Sequence, residues 1–421
     1  MTTRSARAAF VFVTAVVAAM SLGACSTPVA APTPGPSASH LRTGDGTLTI
    51  GTLMPVSGTF AFLGAAQAAA VSVAVAEINA AGGVNGKPVT LLARDSGDAS
   101  TTTAEASLSD LVANGADAVI GPTSSVLAAR VLPAIVAAKI PMISPAATFP
   151  GLTTAKDYGY FFRTIPAYGD QGTALGKALS SKGPVNVALV YVDDELGNAI
   201  LPTLTASLKA GGSTLAVADP VAANATDFTS AIADVTAAKP DAVVLATSYS
   251  SIDLTTALIT QLVGAGFGGA KLWLTTQNAG DYSQALPAGL LSGVNGIIEG
   301  AQADDGFRAR LLAVTPGLAT FRYAPEAYDA TIMTALAAIV AGDDSGVAIA
   351  RALQDVSSGG IKCTTFAECL DVIGAGDNID YDGISGPLNL TDAGDPNPAY
   401  YGLYTFNAEN KFDFVTGIVA G

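Results

Sequence analysis

LTIGTLMPVSGTFAFLGAAQAAAVSVAVAEINAAGGVNGKPVTLLA, residues 48–93, sets a strand, a long helix and a second strand in succession. Leu48 to Met54 is rich in β-branched and aliphatic residues, and a Pro-Val-Ser-Gly turn ends it. An alanine-rich helix is predicted from about Gly64 to Ala81. The glycines at 82, 83 and 86 stop it, and Val89 to Ala93 makes the next strand. The alternation continues downstream. Thr101 to Val112 reads as a helix opened by capping hydroxyls, Ala118 to Ile120 as a strand, Val126 to Ala138 as a helix and Pro141 to Ser144 as a strand. Such βαβαβ order implies a parallel sheet with helices on both faces.

The theme restarts after Thr164. Strands are expected at Val185–Val192, Thr214–Ala218, Ala242–Ala246 and Lys271–Thr275, with helices at Leu196–Ala210, Asp227–Ala237 and Asp253–Val263. Two doubly wound α/β units in tandem suggest two similar lobes. Ile379 to Val419 is rich in Gly, Asp and aromatics and reads as strands and hairpins.

The N-terminus has a different purpose. Arg4 and Arg7 precede an apolar run from Ala8 to Ala19, and Leu22-Gly23-Ala24-Cys25 follows. That order reads as a secretory signal. The last four residues resemble a bacterial lipobox, which implies lipidation of Cys25. Ser26 to His40 is too poor in bulky apolar side chains to fold. Residues 1–24 are therefore expected to be a signal peptide and 25–46 a lipidated Cys with a Pro/Ala/Ser linker, holding the body outside the cell. Later segments are interrupted by Gly, Pro, Asp or Asn, so no transmembrane helix is expected after the signal. Ile332 to Val340 is expected to be a packed core helix.

Composition excludes several functions. The formal charge is −15, and losing the signal removes two arginines and no acidic residue, so the surface repels nucleic acid. His40, in the linker, is the single histidine. A Ser-His-Asp hydrolase and most zinc hydrolase sites are thereby excluded. Carboxylate-only chemistry stays open, but nothing singles out a pair for it. No enzyme activity, cofactor or metal is expected. Cys363 and Cys369 form a close pair in an exported chain and predict a disulfide, with zinc as the alternative.

In open α/β sheets, ligands sit beyond the carboxyl ends of the strands. Gly121-Pro122-Thr123-Ser124-Ser125 follows a strand and opens a helix, offering hydroxyls and free N–H groups to an anion. Ser144-Pro145-Ala146-Ala147-Thr148 supplies a second loop of small residues. Gly264 to Gly269 has dinucleotide-fingerprint spacing but stands after a helix and before a strand, so it reads as a helix C-terminal loop. Asp380-Tyr381-Asp382-Gly383 reads as a solvated turn rather than a calcium loop. Trp273 is expected in the sheet core.

Taken together, Ile50 to Gly58, Glu77 to Gly86, Ile120 to Ser125, Ile143 to Thr148, Phe162-Arg163-Thr164, Tyr328-Asp329-Ala330 and Ser385 to Leu388 resemble the leucine/isoleucine/valine-binding protein family. The resemblance implies a type I periplasmic-binding-protein fold of two lobes joined by three crossovers. On that template 47–165 plus 298–394 would form the first lobe, and 166–297 plus 395–421 the second. It implies that Ser124, Ser125, Ala146, Ala147 and Thr148 hold a ligand's carboxylate and ammonium. Where branched-chain binders place tyrosines, this chain has Leu63 (beside Phe62) and Leu196. Where they hold the ammonium with a glutamate, it has Gln277 or the adjacent Thr276. Ser248 or Tyr249 falls near a further contact. A neutral amide gives a buried ammonium no charge-assisted bond. Either another acid supplies it, or the ligand is not an ordinary α-amino acid. The implied function is a monomeric, membrane-anchored solute receptor delivering its ligand to an ABC permease and ATPase encoded elsewhere. The alternative is a ligand-sensing or surface interaction lipoprotein on the same fold.

Overall fold

The computed structural model describes residues 43–248 and 251–421. The first sheet is built from β1 (Thr49–Met54), β2 (Thr90–Asp95), β3 (Ala118–Ile120), β4 (Met142–Ser144) and β5 (Phe161–Arg163). All its strands are parallel, in the order β2-β1-β3-β4-β5. They are joined through α1 (Ala61–Ala80), α2 (Thr103–Ala113), α3 (Ser125–Ala138) and the short α4 (Pro150–Thr153). Gly83 makes the turn after α1 possible: its φ is +75°, and a Cβ there would lie 2.0 Å from the Lys87 carbonyl oxygen.

The chain then crosses to a second sheet. Its elements are α5 (Gln171–Ser180), β6 (Asn186–Val192), α6 (Glu195–Ala210), β7 (Thr214–Val221) and α7 (Thr229–Ala238). β8 (Ala242–Ala246), α8 (Ile252–Gly264), β9 (Leu272–Leu274) and β10 (Asn295–Glu299) follow. After β10 it returns to the first lobe with α9 (Asp305–Val314), α10 (Ala324–Ala341), α11 (Gly346–Ala352), β11 (Ile361–Cys363), α12 (Phe366–Gly374) and β12 (Ile379–Tyr381), β11 and β12 pairing as a separate two-stranded parallel sheet. A third crossing delivers β13 (Ala399–Phe406) and β14 (Phe412–Ala420), an antiparallel hairpin that completes the order β14-β13-β10-β9-β8-β6-β7. Two doubly wound lobes joined by three crossovers result.

Each sheet is sandwiched between apolar layers. In the first lobe, Ile50, Ile120 and Ile143 pack with α1 and α10, while Leu53, Val119 and Met142 pack with α2 and α3. In the second lobe, Val190, Val243 and Leu245 meet α7 and α8, while Leu189 and Val244 meet α5 and α6. Trp273 is in this last layer, as expected. Alternate residues of one strand feed opposite cores, which is why the strands read as unbroken apolar runs.

The structure corrects three expectations. Among the described residues one helix, α1, is long and apolar enough to span a membrane, with a mean hydropathy of 1.7. It instead packs against α10, with Ala66, Ala70, Val71, Ala74 and Ile78 fully buried. Gly64 does not open it but lies inside its first turn, where a Cβ would sit 1.8 Å from the Pro55 carbonyl oxygen. Asp380 to Gly383 is not a solvated turn. Tyr381 is fully buried on β12, and its hydroxyl donates to Asp329 Oδ1 at 2.6 Å. Asp329 also accepts from the N–H groups of Ile384 (3.2 Å) and Ser385 (2.7 Å), fixing the Ser385-Gly386 loop to α10. Cys363 and Cys369 are joined in a disulfide that ties β11 to α12. Gly264 to Gly269 links α8 to β9 and opens no phosphate-binding helix.

Candidate ligand-binding cleft

The loops beyond the carboxyl ends of β1, β3 and β4 face those beyond β8 and β9 across a cleft of about 450 Å³. Gly121 aims the β3 loop. Its φ is +111°, and a Cβ would lie 2.4 Å from the Leu53 carbonyl oxygen, so glycine alone fits this turn. Ser124 then caps α3, its side chain accepting from Leu127 N at 3.5 Å. Ser125 and Val126 occupy the first helical positions, where N–H groups have no intrahelical acceptor and the helix dipole is positive. Both residues line the cleft.

Internal bonds hold this wall rigid. Ser144 Oγ donates to the Pro122 carbonyl at 2.7 Å and accepts from the N–H groups of Ala146 (3.3 Å) and Ala147 (2.9 Å). Ser125 Oγ accepts from Phe149 N at 3.2 Å, stitching one loop to the other. Thr123 donates to Gln67 Oε1 at 2.9 Å. On the facing lobe, Leu196 comes from the first turn of α6, Ser248 from the end of β8 and Gln277 from the loop after β9. Gln277 is set by its neighbours. Thr276 N donates to Gln171 Oε1 at 2.9 Å, and the buried Asn278 accepts from Thr275 N at 2.7 Å and donates to the Leu245 carbonyl at 2.8 Å.

The cleft therefore gathers Leu63, Ser124, Ser125, Ala146, Thr148, Leu196, Ser248 and Gln277 from the residues expected in the sequence. Phe62 is 60% exposed and off the wall, because the helix that starts at Ala61 turns it outward and presents Phe60 and Leu63 instead. Ala147 is fully buried beneath the wall, and Thr276 is buried behind Gln277. Tyr249 and Cys25 lie outside the described residues. The sequence reading missed Phe60, Val126, Phe149 and Tyr323. Val126 and Phe149 adjoin motifs already recognised; Tyr323 comes from the loop before α10 and carries no local signal.

None of the described lining residues is charged. Charge is held just behind the wall. The Tyr323 hydroxyl donates to Glu299 Oε1 at 2.9 Å and accepts from Arg322 at 3.0 Å. Burial pushes the Glu299 carboxyl above its usual range, against the pull of Arg322. Burial raises Glu326 to about 8 and Asp170 to about 6; in Asp170 the charge of Asp395 adds to the effect. It raises Asp329 to about 6 against the lowering effect of the hydrogen bonds Asp329 accepts from Ser385, Tyr381 and Ile384.

These groups bind protons more readily folded than unfolded. Their contribution to stability is complete below about pH 4 and is lost as pH rises through 6 to 8. The exposed Asp98, Asp227 and Glu368, lowered by hydrogen bonds from neighbouring hydroxyl and N–H groups, act oppositely, and only below about pH 4. The thermal midpoint is accordingly expected to fall by several degrees between pH 5.5 and 8.5. A midpoint that climbs over that interval would contradict the assignment.

The periplasmic binding protein family model matches residues 47–367. The chain belongs to that family. Among relatives, the chemotactic signal transduction system substrate-binding protein BasB of Halobacterium salinarum is 28% identical over 84% of this chain and 86% of its own length. Leu/Ile/Val-binding protein homolog 8 of Brucella abortus is 30% identical over 66% of this chain and 69% of its own. The solved structure of LivJ from Streptococcus pneumoniae in complex with isoleucine matches with a TM-score of 0.62 at 22% identity, covering 89% of this chain and 100% of that one. A solute-binding protein from R. palustris in complex with benzoate matches at 0.59 and 22%, covering 89% and 97%. The chain is thus a periplasmic solute-binding protein of the Leu/Ile/Val-binding family, whose members bind substrates rather than transform them. Membership implies work outside the cytoplasm.

Proposed function

We propose that this periplasmic binding protein is a lipid-anchored receptor that closes over a small carboxylate without an α-ammonium group and delivers it to an ABC importer. The observation that carries the reading is the cleft's polarity. It offers the N-terminus of α3 and hydroxyls at Ser124, Ser125 and Thr148, apolar surface at Phe60, Leu63, Phe149 and Leu196, and no charged lining residue among those described. A carboxylate is matched by such a helix end. An ammonium desolvated against Gln277 would meet no carboxylate in the wall. Benzoate, held by the R. palustris neighbour, has this chemistry; isoleucine, held by LivJ, does not.

In this reading, residues 47–165 with 298–394 and 166–297 with 395–421 move as lobes about the three crossovers. Contacts from both favour the closed form that the permease recognises. Residues 1–24 direct export, Cys25 carries the lipid, and the linker to 46 is the tether of a monomer, its last residues docked on the body where Gly44 N–H donates to Asp343 and Gly46 N–H to Asp344. The permease and ATPase are separate chains. A second reading, ligand sensing, draws on the BasB relative. It differs in the partner of the closed form, not in the cleft.

The test is a thermal-shift panel on the purified chain after ligand stripping, with amino acids, amides, aliphatic acids and aromatic acids. Saturating ligand at about a hundred times its Kd adds about 2.7 kcal/mol of stability. Carboxylates lacking an ammonium are expected to raise the midpoint, and leucine is not. A selective response to leucine, isoleucine or valine rejects this ligand class. For the anchor, partition into detergent should be lost in Cys25→Ala.

A further inference from the structure

Glu299 ends β10 where the chain leaves the second lobe, and it is 5% exposed. Its N–H donates to Thr276 Oγ1 at 3.0 Å, beside the lining residue Gln277. One carboxylate oxygen accepts from Tyr323. The other, Oε2, is buried and meets no hydrogen-bond partner among the described residues. Arg322 stands 3.9 Å from Oε1, too far for a hydrogen bond, and directs its guanidinium to the Tyr323 oxygen instead. Tyr323 itself lines the cleft with a φ of +62°, a left-handed conformation that a bulky side chain rarely adopts. A buried unsatisfied acceptor and a strained backbone thus coincide one hydrogen bond behind the cleft wall. Strain of this kind is characteristic of ligand clamps.

We infer that Tyr323 and Glu299 form a second polar pole of the cleft, which recognises a neutral hydrogen-bond donor, a hydroxyl or an amide N–H, on the carboxylate ligand. The inference rests on the proposed carboxylate-binding function. With its proton committed to Glu299 and one lone pair taken by Arg322, the Tyr323 hydroxyl has a single remaining acceptor position to present to the cleft. The chain ligand donor, Tyr323, Glu299 strengthens each bond by polarising the next. A neutral donor suits this pole better than an ammonium, because the Glu299 charge is already shared with Arg322. A site built to hydrogen-bond a donor discriminates strongly against the analogue that lacks it.

Titration calorimetry on the full, ligand-stripped chain tests this with benzoate, its three monohydroxy derivatives and leucine. At least one hydroxybenzoate should bind about tenfold or more tightly than benzoate. In Tyr323→Phe that ratio should fall to within about twofold. Glu299→Gln, which keeps the shape and removes the charge, should reduce it as well and serves if the first variant misfolds. The pole is rejected alone if the hydroxyl preference is absent from the unmodified chain or survives in Tyr323→Phe; if leucine binds most tightly, the carboxylate reading falls and the pole with it. If the folded chain binds none of the five, the carboxylate reading falls and takes the pole with it.

Discussion

Arg163→Ala should cost about 3–5 kcal/mol of stability, the effect expected when one partner of a buried ion pair is removed. The Arg163 side chain is fully buried, and four of the five N–H donors of its guanidinium are engaged. Nε donates to Asp395 Oδ1 at 2.6 Å, one terminal nitrogen to the carbonyls of Ala147 (3.0 Å) and Phe149 (3.2 Å), and the other to Thr153 Oγ1 at 2.6 Å. Truncation would leave Asp395 uncompensated near Asp170, whose carboxyl Asp395 already pushes up. Arg163 ends the strand before the first crossover, and Asp395 lies on the third. The pair therefore clamps the hinge and the cleft loop together. Urea unfolding should show a lower midpoint with an unchanged slope. Lysine at 163 should recover only part of the loss, because a point charge cannot replace the planar fork. A change under about 1 kcal/mol would mean that neighbouring groups or water satisfy Asp395, and the clamp reading would fail.

Ser125→Asp should separate binding from folding. Position 125 is the first residue of α3, where an acidic side chain favours the helix dipole by about 0.3–1 kcal/mol. An Asp oxygen could also keep the bond that Ser125 Oγ accepts from Phe149 N. The thermal midpoint should therefore hold or rise. Binding should fall at least about a hundredfold, since two carboxylates about 4 Å apart near a protein surface repel by about 4 kcal/mol. Calorimetry with the best carboxylate from the panel measures it. Undiminished affinity would place the ligand's anionic group away from the α3 N-terminus.

Much of the scaffold was legible because the signals are local. The limits of β3 and β8 fall where unbroken apolar runs end, at Ala118–Ile120 and Ala242–Ala246. Elsewhere tertiary contacts moved the boundaries. β7 runs to Val221, beyond the expected Ala218, through Pro220; it is the sheet's edge, where a strand tolerates a proline. β9 stops at Leu274 because Asn278 takes the Thr275 N–H. The Asp380 to Gly383 segment misled because the partner that buries Tyr381, Asp329, is remote in sequence. In the cleft, the loops at 121–125 and 144–148 were readable as strand-to-helix turns of small and hydroxylated residues. Phe60 was missed because which of Phe60 and Phe62 faces inward depends on where α1 begins, and Gly64 disguised that start.

The sequence alone determined the α/β class, the restart that makes two lobes and the exclusion of histidine-based chemistry, and it singled out the cysteine pair that the structure joins. Each follows from composition or from periodicity over a few residues. Only the tertiary structure decided that Gln277 rather than Thr276 faces the cleft, that Tyr323 joins its wall, and that Glu299 waits one hydrogen bond behind it. Three crossovers bring these residues together from distant parts of the chain, and no local pattern encodes that meeting. Such contacts are specified by the packing of whole lobes around the cleft.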